Sequence, residues 1–301
     1  MKKIVVTQNH DLYPDQIERL KSLGEVKFYN DLAKTPEEWL ERVGGFEIIC
    51  SGKFGLKQKI YELGDVFISL PFVDIGWIDS RKLKERNITV SYSPGCNRVA
   101  VSEWIIGMMI NLLRDLPKYI GVGSLPKHTL PEKTAGLAKK KVTILGPGNI
   151  GSRVGKICES LEMEVSYFKK GDDLLKSVKD ADVVINTLSN NPTTQGLLDK
   201  KFFDSFKNGA YFISVTSSQI YDVDSLLAAL DKNIAGAAID TGQIQVGDTD
   251  DPFYQRLLKN PKILVTPHIA YNSDTTARVG NDMMIDNIEA YLAGKPTNLV
   301  A

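Results

Sequence analysis

A glycine-rich stretch in the second half of the chain, VTILGPGNIGSRVG, limits the possible folds more than any other feature. Gly146, Gly148 and Gly151 have G-x-G-x-x-G spacing between an apolar, strand-like run and an amphipathic, helix-like run. The glycines permit a tight turn and a close backbone approach, and the first N–H groups of the helix face a pyrophosphate. A second strand-like run, EVSYF, closes a βαβ unit. The stretch predicts a dinucleotide-binding site that also includes Asn149 and Ile150.

The rest of the chain alternates short β-rich runs with amphipathic runs, on both sides of a long apolar stretch that begins at Val99. Alternation of strand and helix predicts βαβ units and a parallel sheet covered on both faces. A length of 301 residues is sufficient for two such domains. The predicted boundaries are 1–98 with 287–301 for the first domain and 99–286 for the second.

The charge balance limits the class of ligand. Lys plus Arg and Asp plus Glu both total 37, so the formal net charge is zero. No overall field attracts nucleic acid or an anionic membrane, and we expect a small-molecule substrate instead. The N-terminal run MKKIVVTQNH is too short for a signal peptide, and no run has the length of a membrane span. We therefore expect a cytoplasmic protein.

The cysteines give no sign of a metal site. Cys50, Cys96 and Cys158 are far apart, and they lack both C-x-x-C and Cys/His ligand spacing. This pattern predicts buried thiols, without a disulfide framework or a bound metal.

Two lysines lie where a dinucleotide site selects between its cofactors. About 20 residues after the glycines, an NAD site usually has an acidic residue that binds the ribose 2′-hydroxyl. This chain has Lys169 and Lys170 there. Two cations would attract a 2′-phosphate, so the sequence favours NADP(H) over NAD. The alternative is that both lysines are solvated surface charges.

Several segments resemble the D-isomer-specific 2-hydroxyacid dehydrogenase family, in the same order and over nearly the whole chain. SPGCNRVAVSEW is similar to the family's segment before its long dimerisation helix, and VINTLSNNPTTQGLL is similar to the segment after the cofactor cleft. IAGAAID and LVTPHIA are similar to the two regions that follow. The resemblance implies two doubly wound parallel-sheet α/β domains, a flavodoxin-like substrate domain and a Rossmann NAD(P)-binding domain, with the active site in the cleft between them.

The same resemblance implies a homodimer and a hydride transfer between NAD(P)(H) and a small 2-keto or 2-hydroxy acid or a related carbonyl compound. His268 matches the acid/base of the family, which suits histidine because its proton exchanges near neutral pH. Asp240 matches a residue near the cofactor carboxamide, and Thr187, Val215 and Thr216 match positions beside the cofactor.

The chain departs from the family pattern on the substrate side. Ser217 stands where the family has an arginine that binds the substrate carboxylate, and serine has no charge for this task. Gln245 stands where the family has the carboxylate partner of the histidine. Glutamine can orient an imidazole but adds no negative charge. An acidic loop with Asp248, Asp250 and Asp251 follows, either as a substitute or as a solvated helix cap.

A third departure lies in the first domain. Val73 and Asp74 occupy the place of a glycine-rich loop that receives the substrate carboxylate, and the Asp74 carboxylate would repel such a substrate. Ser51, Gly52 and Lys53 are nearby candidates, and Lys53 could supply the missing positive charge. These departures leave two hypotheses. One is an oxidoreductase with an altered substrate cleft. The other is a catalytically impaired nucleotide-binding dimer that senses the cofactor or binds a partner.

Overall fold

The computed structural model describes residues 1–120 and 133–300, which form two compact units. The first unit contains Met1–Asn97 and the segment from Asn272 to the C-terminus, and the second contains Arg98–Tyr271. The strands are β1 (Lys3–Val6), β2 (Glu25–Phe28), β3 (Ile48–Cys50), β4 (Phe67–Ser69), β5 (Thr89–Ser91), β6 (Lys141–Leu145), β7 (Glu164–Phe168), β8 (Val183–Asn186), β9 (Ala210–Ser214), β10 (Ile234–Asp240) and β11 (Ile263–Thr266).

The helices alternate with these strands, as the sequence pattern predicts. They are α1 (Pro14–Leu23), α2 (Pro36–Val43), α3 (Leu56–Lys59), α4 (Ser80–Glu85), α5 (Arg98–Leu113), α6 (Asn149–Ser160), α7 (Leu174–Val178), α8 (Lys200–Asp204), α9 (Val223–Leu230), α10 (Pro252–Leu258) and α11 (Asp274–Leu292). Several helices begin at a side-chain cap. Asp222 caps α9, Asp251 caps α10 and Ser273 caps α11, each by accepting a backbone N–H of the first turn.

The first unit is a parallel sheet with strand order β2-β1-β3-β4-β5. This is the flavodoxin-like order, in which helices cover both faces. Alternate strand residues divide between two cores. Val5, Ile49 and Ile68 pack with the helices on one face, and Ile4, Ile48 and Phe67 pack against α11 on the other.

The return of the chain to the first unit lies at residues 271–272, not at the predicted position 287. The whole of α11 packs on the first sheet, where Met284, Ile285 and Ile288 are buried and the Tyr291 ring stacks on Phe67 with a centroid distance of 4.1 Å. The forward boundary after Asn97 lies within one residue of the predicted one. The segment GSLPKHTLPEKT at 123–134, whose glycine and prolines predict a connecting loop, lies largely outside the described residues.

The second unit is also a parallel sheet, with strand order β11-β10-β9-β8-β6-β7. From β6 the chain proceeds first to β7 on one side and then to β8 on the other. The carboxyl ends of β6 and β8 therefore form a topological switch point, where open α/β sheets bind ligands. The predicted fold class, with two doubly wound parallel sheets, is confirmed.

Helix α5 is buried along one side, and the three cysteines are buried thiols, as the sequence predicts. One side of α5 buries Val101, Ile105 and Met109 against the second sheet and α6. Cys50, Cys96 and Cys158 are buried and unpaired. Over residues 1–120 and 133–300, the helices are all too short or too polar to cross a membrane.

His10 lies in the loop after β1 and has a buried imidazole atom. Its Nε2 is inaccessible to solvent and has no hydrogen-bond partner among the described residues, although other atoms of the residue are partly exposed. Burial lowers the pKa of His10 from 6.5 to about 4, against smaller raising effects of the Cys50 backbone and the Asp11 charge. The folded unit therefore favours the neutral imidazole.

This burial predicts a loss of stability in mild acid. An unfolded histidine binds a proton below pH 6.5, whereas folded His10 binds it only near pH 4. The stabilisation is complete above pH 6.5 and is lost as the pH falls toward 4, so we expect His10 to lower the free energy of unfolding by about 2 kcal/mol between pH 7 and pH 5. Urea denaturation of the wild type and of His10→Gln at both pH values measures the effect. An equal loss in both proteins would contradict it.

Candidate functional site

The glycine-rich turn between β6 and α6 has the shape of a phosphate cradle. Gly146 has a φ of +89°, a conformation that side chains with a Cβ rarely adopt. A Cβ at Gly151 would lie 2.2 Å from the Gly146 carbonyl oxygen, so only glycine fits there. Apart from the adjacent backbone, no atom of the described residues lies within 4 Å of a Cβ built at Gly148, which leaves open space beside the helix start. The first N–H groups of α6, from Asn149 and Ile150 onward, lack intrahelical partners and can bind a pyrophosphate.

Thr187 supports this turn from the end of β8. Its Oγ1 lies 3.0 Å from the Leu145 carbonyl oxygen and 2.8 Å from the Gly146 carbonyl oxygen, within hydrogen-bond reach of both acceptors. The hydroxyl therefore joins the carboxyl ends of β6 and β8 at the switch point. Its predicted contact with a cofactor stays a prediction.

Lys169 and Lys170 follow β7 directly and are exposed. Within the described ranges, neither ammonium group forms an ion pair. The backbone N–H of Lys169 donates to Asp172 Oδ2 at 2.7 Å, and Asp173 caps α7. Both carboxylates after the lysines thus accept backbone N–H groups, which the sequence pattern had not indicated. Among the described residues the two ammonium groups are therefore unpaired. They lie at the same carboxyl edge of the second sheet as the glycine cradle.

A hydrogen-bonded group of uncharged side chains joins β8 to β9. The buried Asn186 Nδ2 donates to Ser214 Oγ at 3.2 Å and to Thr216 Oγ1 at 2.8 Å. The backbone N–H of Val215 donates to the Asn186 carbonyl at 3.4 Å. These contacts fix the predicted cofactor positions Val215 and Thr216 at the carboxyl end of the sheet. Asn186 was not predicted as a site residue.

Ser217 begins a turn at this strand end. Its Oγ accepts the backbone N–H of Gln219 at 3.2 Å, and its carbonyl accepts the N–H of Ile220 at 3.1 Å. The next residue, Ser218, donates its backbone N–H to Gln243 Oε1 at 3.3 Å. The turn after β9 is therefore bound to the loop after β10 by uncharged groups alone.

His268 lies in the loop after β11, in a left-handed backbone conformation with a φ of +56°. Its Nδ1 is 3.0 Å from the Ile244 carbonyl oxygen. A carbonyl can only accept, so Nδ1 carries a hydrogen, and Nε2 is the ring nitrogen that this contact leaves unoccupied. The Tyr271 ring packs edge-on against the imidazole at a centroid distance of 5.7 Å. Burial, and secondarily the Asp240 charge, raises the pKa of Tyr271 above its ordinary value.

Asp240 holds the loop that carries His268. The aspartate is 3% exposed, and its Oδ1 accepts the Thr266 hydroxyl at 2.6 Å and the Ile269 N–H at 2.9 Å. Its Oδ2 accepts the Ala270 N–H at 3.0 Å. The structure thus gives Asp240 three partners that flank His268. Its predicted contact with the cofactor carboxamide stays a prediction.

Gln245 does not take the orienting place that the sequence assigned to it. The residue is exposed, and the imidazole binds the main-chain carbonyl of its neighbour Ile244 instead. Asp248 and Asp251 do not bend back to His268 either, because Asp248 accepts the Asp250 N–H and Asp251 caps α10. The acidic loop is a helix cap.

The first unit has its own set of candidate residues at the carboxyl edge of its sheet. Ser51 is buried, and its Oγ lies 3.1 Å from Thr7 Oγ1 and 3.0 Å from Trp39 Nε1. A Cβ at Gly52 would lie 2.3 Å from Gln8 Oε1. Ser51 is therefore used within the unit and, contrary to the prediction, is not available to a ligand. The contact at Gly52 involves only the end of the flexible Gln8 side chain, which can move aside.

Lys53 and Asp74 form an ion pair across two loops of the first unit. Lys53 Nζ lies 2.7 Å from Asp74 Oδ2, and both side chains are exposed. The ammonium also lies 5.5 Å from the centre of the Phe72 ring. Val73, between Phe72 and Asp74, is half-buried. The pair gives each charge a partner, so Lys53 is not the free cation and Asp74 is not the isolated carboxylate that the sequence suggested.

Within the described ranges, no group of three or more His, Cys, Asp or Glu side chains is placed to hold a metal ion. The glycine cradle fits a dinucleotide instead, because a side chain is excluded at Gly151 and absent at Gly148, where the backbone of α6 is open to approach.

Comparisons with known proteins agree with this geometry. The family model described as D-isomer specific 2-hydroxyacid dehydrogenase, NAD binding domain, matches residues 106–270. The glycerate dehydrogenase of Methylorubrum extorquens is 28% identical over 284 residues, which cover 88% of this chain and 89% of that protein.

Two solved structures share the fold over the full length. An acyclic imino acid reductase in complex with NADPH and D-Arg has a TM-score of 0.81 and 22% identity, and the match covers 99% of this chain and 100% of that one. A D-lactate dehydrogenase with NAD+ from Lactobacillus jensenii has a TM-score of 0.79 and 22% identity, with coverage of 100% and 99%. The chain therefore belongs to the D-isomer specific 2-hydroxyacid dehydrogenase family and is an NAD(P)-dependent, dehydrogenase-like enzyme.

Proposed function

We propose that this enzyme interconverts a small 2-keto acid and the corresponding 2-hydroxy acid with His268 as the acid/base. The observation that supports this role is the orientation of the imidazole. The Ile244 carbonyl engages Nδ1, and Asp240 holds the backbone on the C-terminal side of His268. A general acid needs this fixed geometry, because the proton must reach the substrate oxygen as the charge develops there.

Other groups of the chain would bind the cofactor and position it for the reaction. The N–H groups at the start of α6 would hold the cofactor pyrophosphate, and Val215 and Thr216 would lie beside the nicotinamide. When bound, the reduced cofactor supplies a hydride to the keto carbon. His268 Nε2 gives its proton to the keto oxygen, and water restores the proton afterwards.

The direct test is cofactor oxidation with a panel of 2-keto acids. Purified protein is mixed with NADPH or NADH and with glyoxylate, hydroxypyruvate or pyruvate, and the loss of cofactor absorbance is followed. We expect turnover with at least one acid. Tight cofactor binding without turnover on any of them would instead favour a cofactor-sensing dimer, which no contact among the described residues supports.

We further propose that NADP(H) is the preferred cofactor. Lys169 and Lys170 are exposed, and within the described residues no carboxylate pairs with either ammonium group. Two such cations can bind a 2′-phosphate through charge-assisted hydrogen bonds. NADPH should therefore bind more tightly than NADH.

The Lys169→Ala/Lys170→Ala double variant tests this preference. We expect the Kd of NADPH to rise by about 10- to 100-fold, while the Kd of NADH changes by less than about threefold. Isothermal titration calorimetry measures both constants, and Lys176→Ala on α7 controls for the loss of surface charge. Equal weakening of NADPH and NADH would contradict a 2′-phosphate contact.

We also propose that two copies associate through α5. Trp104, Ile106 and Met108 are apolar and only partly covered within their own unit, and Ile120 beyond the helix is 67% exposed. Apolar surface of this kind favours association. We expect sedimentation equilibrium to give twice the chain mass of 33.4 kDa, and Ile106→Glu to lower it. A wild-type mass near 33.4 kDa at micromolar concentration would contradict the dimer.

A further inference from the structure

The loops after strands β8, β9, β10 and β11 contain neither lysine nor arginine. They comprise residues 187–199, 215–222, 241–251 and 267–271, all at the carboxyl edge of the second sheet. Apart from His268, their ionisable side chains with a charge near neutral pH are carboxylates, and Asp199, Asp222 and Asp251 cap helices. The loops around His268 therefore offer no cation to a substrate carboxylate.

The polar groups that these loops do offer are uncharged and held in place. Gln219 Oε1 accepts Asn190 Nδ2 at 2.6 Å, and Gln243 Oε1 accepts the Ser218 N–H at 3.3 Å. Because both amide oxygens are engaged, the two glutamines keep their NH₂ groups as donors. The Ser217 hydroxyl accepts the Gln219 N–H and keeps its own proton for donation.

The loops after β1, β3, β4 and β5 in the first unit carry no free cation either, whereas the loop after the edge strand β2 contains Lys34. The four loops are residues 7–13 after β1, 51–55 after β3, 70–79 after β4 and 92–97 after β5. Lys53 is the single lysine or arginine in them. Its ammonium is paired with Asp74 at 2.7 Å. The Asp74 carboxylate is therefore the partner of the one lysine in these four loops.

The uncharged donors in the loops around His268 determine how the proposed site selects the substrate's carboxyl end. Removing a carboxylate from water is costly unless a cation or several strong donors replace the solvent, whereas an amide has no charge to desolvate. Neutral donors such as Ser217 and Gln219 bind a carboxylate oxygen more strongly than an amide oxygen, but without a cation this gain offsets only part of the cost of removing the carboxylate from water. A site of this composition has no electrostatic reason to reject the uncharged analogue of its acid substrate.

We propose that the enzyme also reduces 2-keto amides, with a kcat/KM at least equal to that for the matching 2-keto acids. The proposal rests on the proposed function, because it uses the same reaction. The keto carbon accepts a hydride from the reduced cofactor, the C=O double bond becomes single, and the oxygen accepts the proton of His268 Nε2. The cofactor is oxidised, the amide group is unchanged, and the product is a 2-hydroxy amide.

Pyruvamide and pyruvate form a matched pair for the kinetic test. We expect the kcat/KM of pyruvamide to be between one and about ten times that of pyruvate. Ser217→Arg should raise the kcat/KM of pyruvate by about tenfold or more without a comparable gain for pyruvamide. Ser160→Arg adds the same charge at the C-terminal end of α6, and it should leave the ratio unchanged. A wild-type kcat/KM for pyruvamide below that for pyruvate would overturn the proposal.

A binding measurement gives an answer that does not depend on turnover. Oxamide and oxamate are unreactive analogues that differ in the charge of one end, and calorimetry with saturating NADPH gives the Kd of each. Oxamide binding at least as tight as oxamate supports the proposal, and oxamate binding about tenfold tighter, or no binding of oxamide, overturns it. Failure of the proposed function can be distinguished from failure of the amide proposal. In the first case no keto compound is reduced with either cofactor.

Discussion

Replacing His268 by glutamine is expected to lower kcat for 2-keto acid reduction by about 100- to 10,000-fold. The imidazole Nδ1 is held by the Ile244 carbonyl at 3.0 Å, which leaves Nε2 as the proton donor. The glutamine NH₂ group can donate to the same carbonyl, but it has no proton to transfer near neutral pH. The variant therefore keeps the contact and loses the chemistry.

The fold of the loop should survive this change. Its backbone is held by the contacts of Asp240 to Ile269 and Ala270, which do not involve the His268 side chain. We expect the Kd of NADPH, measured by calorimetry, to stay within about threefold of the wild-type value. His10→Gln changes a histidine of the other unit in the same way and should retain the wild-type kcat at pH 7. A His268→Gln enzyme that keeps more than about a tenth of the wild-type kcat would show that another group donates the proton.

The fold could be predicted from the sequence because its signals are local. The glycine spacing, the alternation of strands and helices and the long apolar run from Val99 each report on neighbouring residues. The boundary at 287 was wrong for a related reason. The pattern of α11 predicts a helix with an apolar side, but it does not state which sheet covers Met284, Ile285 and Ile288. That choice depends on tertiary packing.

The sequence predicts where the candidate site residues lie better than it predicts their hydrogen-bond partners. His268 and the glycines stand at the ends of strands, and the sheet topology brings strand ends together. The partner of His268 is a main-chain carbonyl, which every residue has and no sequence motif marks. The Lys53–Asp74 pair joins residues 21 positions apart. The sequence could have predicted that pair, because the loops after two neighbouring parallel strands lie close together and these two loops carry opposite charges.

The proposed substrate side, with its uncharged loops, and the glycine cradle have different physical requirements. A cradle for pyrophosphate depends on backbone shape, so Gly146 and Gly151 can be replaced only with strain. The loops around His268 use side chains, and a serine fits where an arginine would without disturbing the strand. The Ser217 turn is closed by its own backbone and hydroxyl contacts. Substrate selection can therefore change in this fold while cofactor binding is kept.

The second large effect is expected at Gly151, where alanine should raise the Kd of NADPH by more than about 100-fold, or about 3 kcal/mol. The new Cβ would lie 2.2 Å from the Gly146 carbonyl oxygen and 2.7 Å from Thr187 Oγ1, so the turn and the start of α6 must move apart. That movement displaces the N–H groups that would bind the pyrophosphate. The free energy of unfolding should also fall, by about 1 to 3 kcal/mol.

Gly148→Ala separates cofactor binding from folding. A Cβ at Gly148 meets no atom within 4 Å and the φ of −75° suits any residue, so stability should fall by less than about 1 kcal/mol. The methyl group would instead occupy the open space beside the α6 N-terminus and weaken NADPH by about tenfold or more. Gly136→Ala, with equally open surroundings in an exposed segment, should change neither quantity. Calorimetry and urea denaturation of the three variants measure both effects, and a Gly151→Ala protein that binds NADPH within about threefold of the wild type would show that the cofactor does not use this turn.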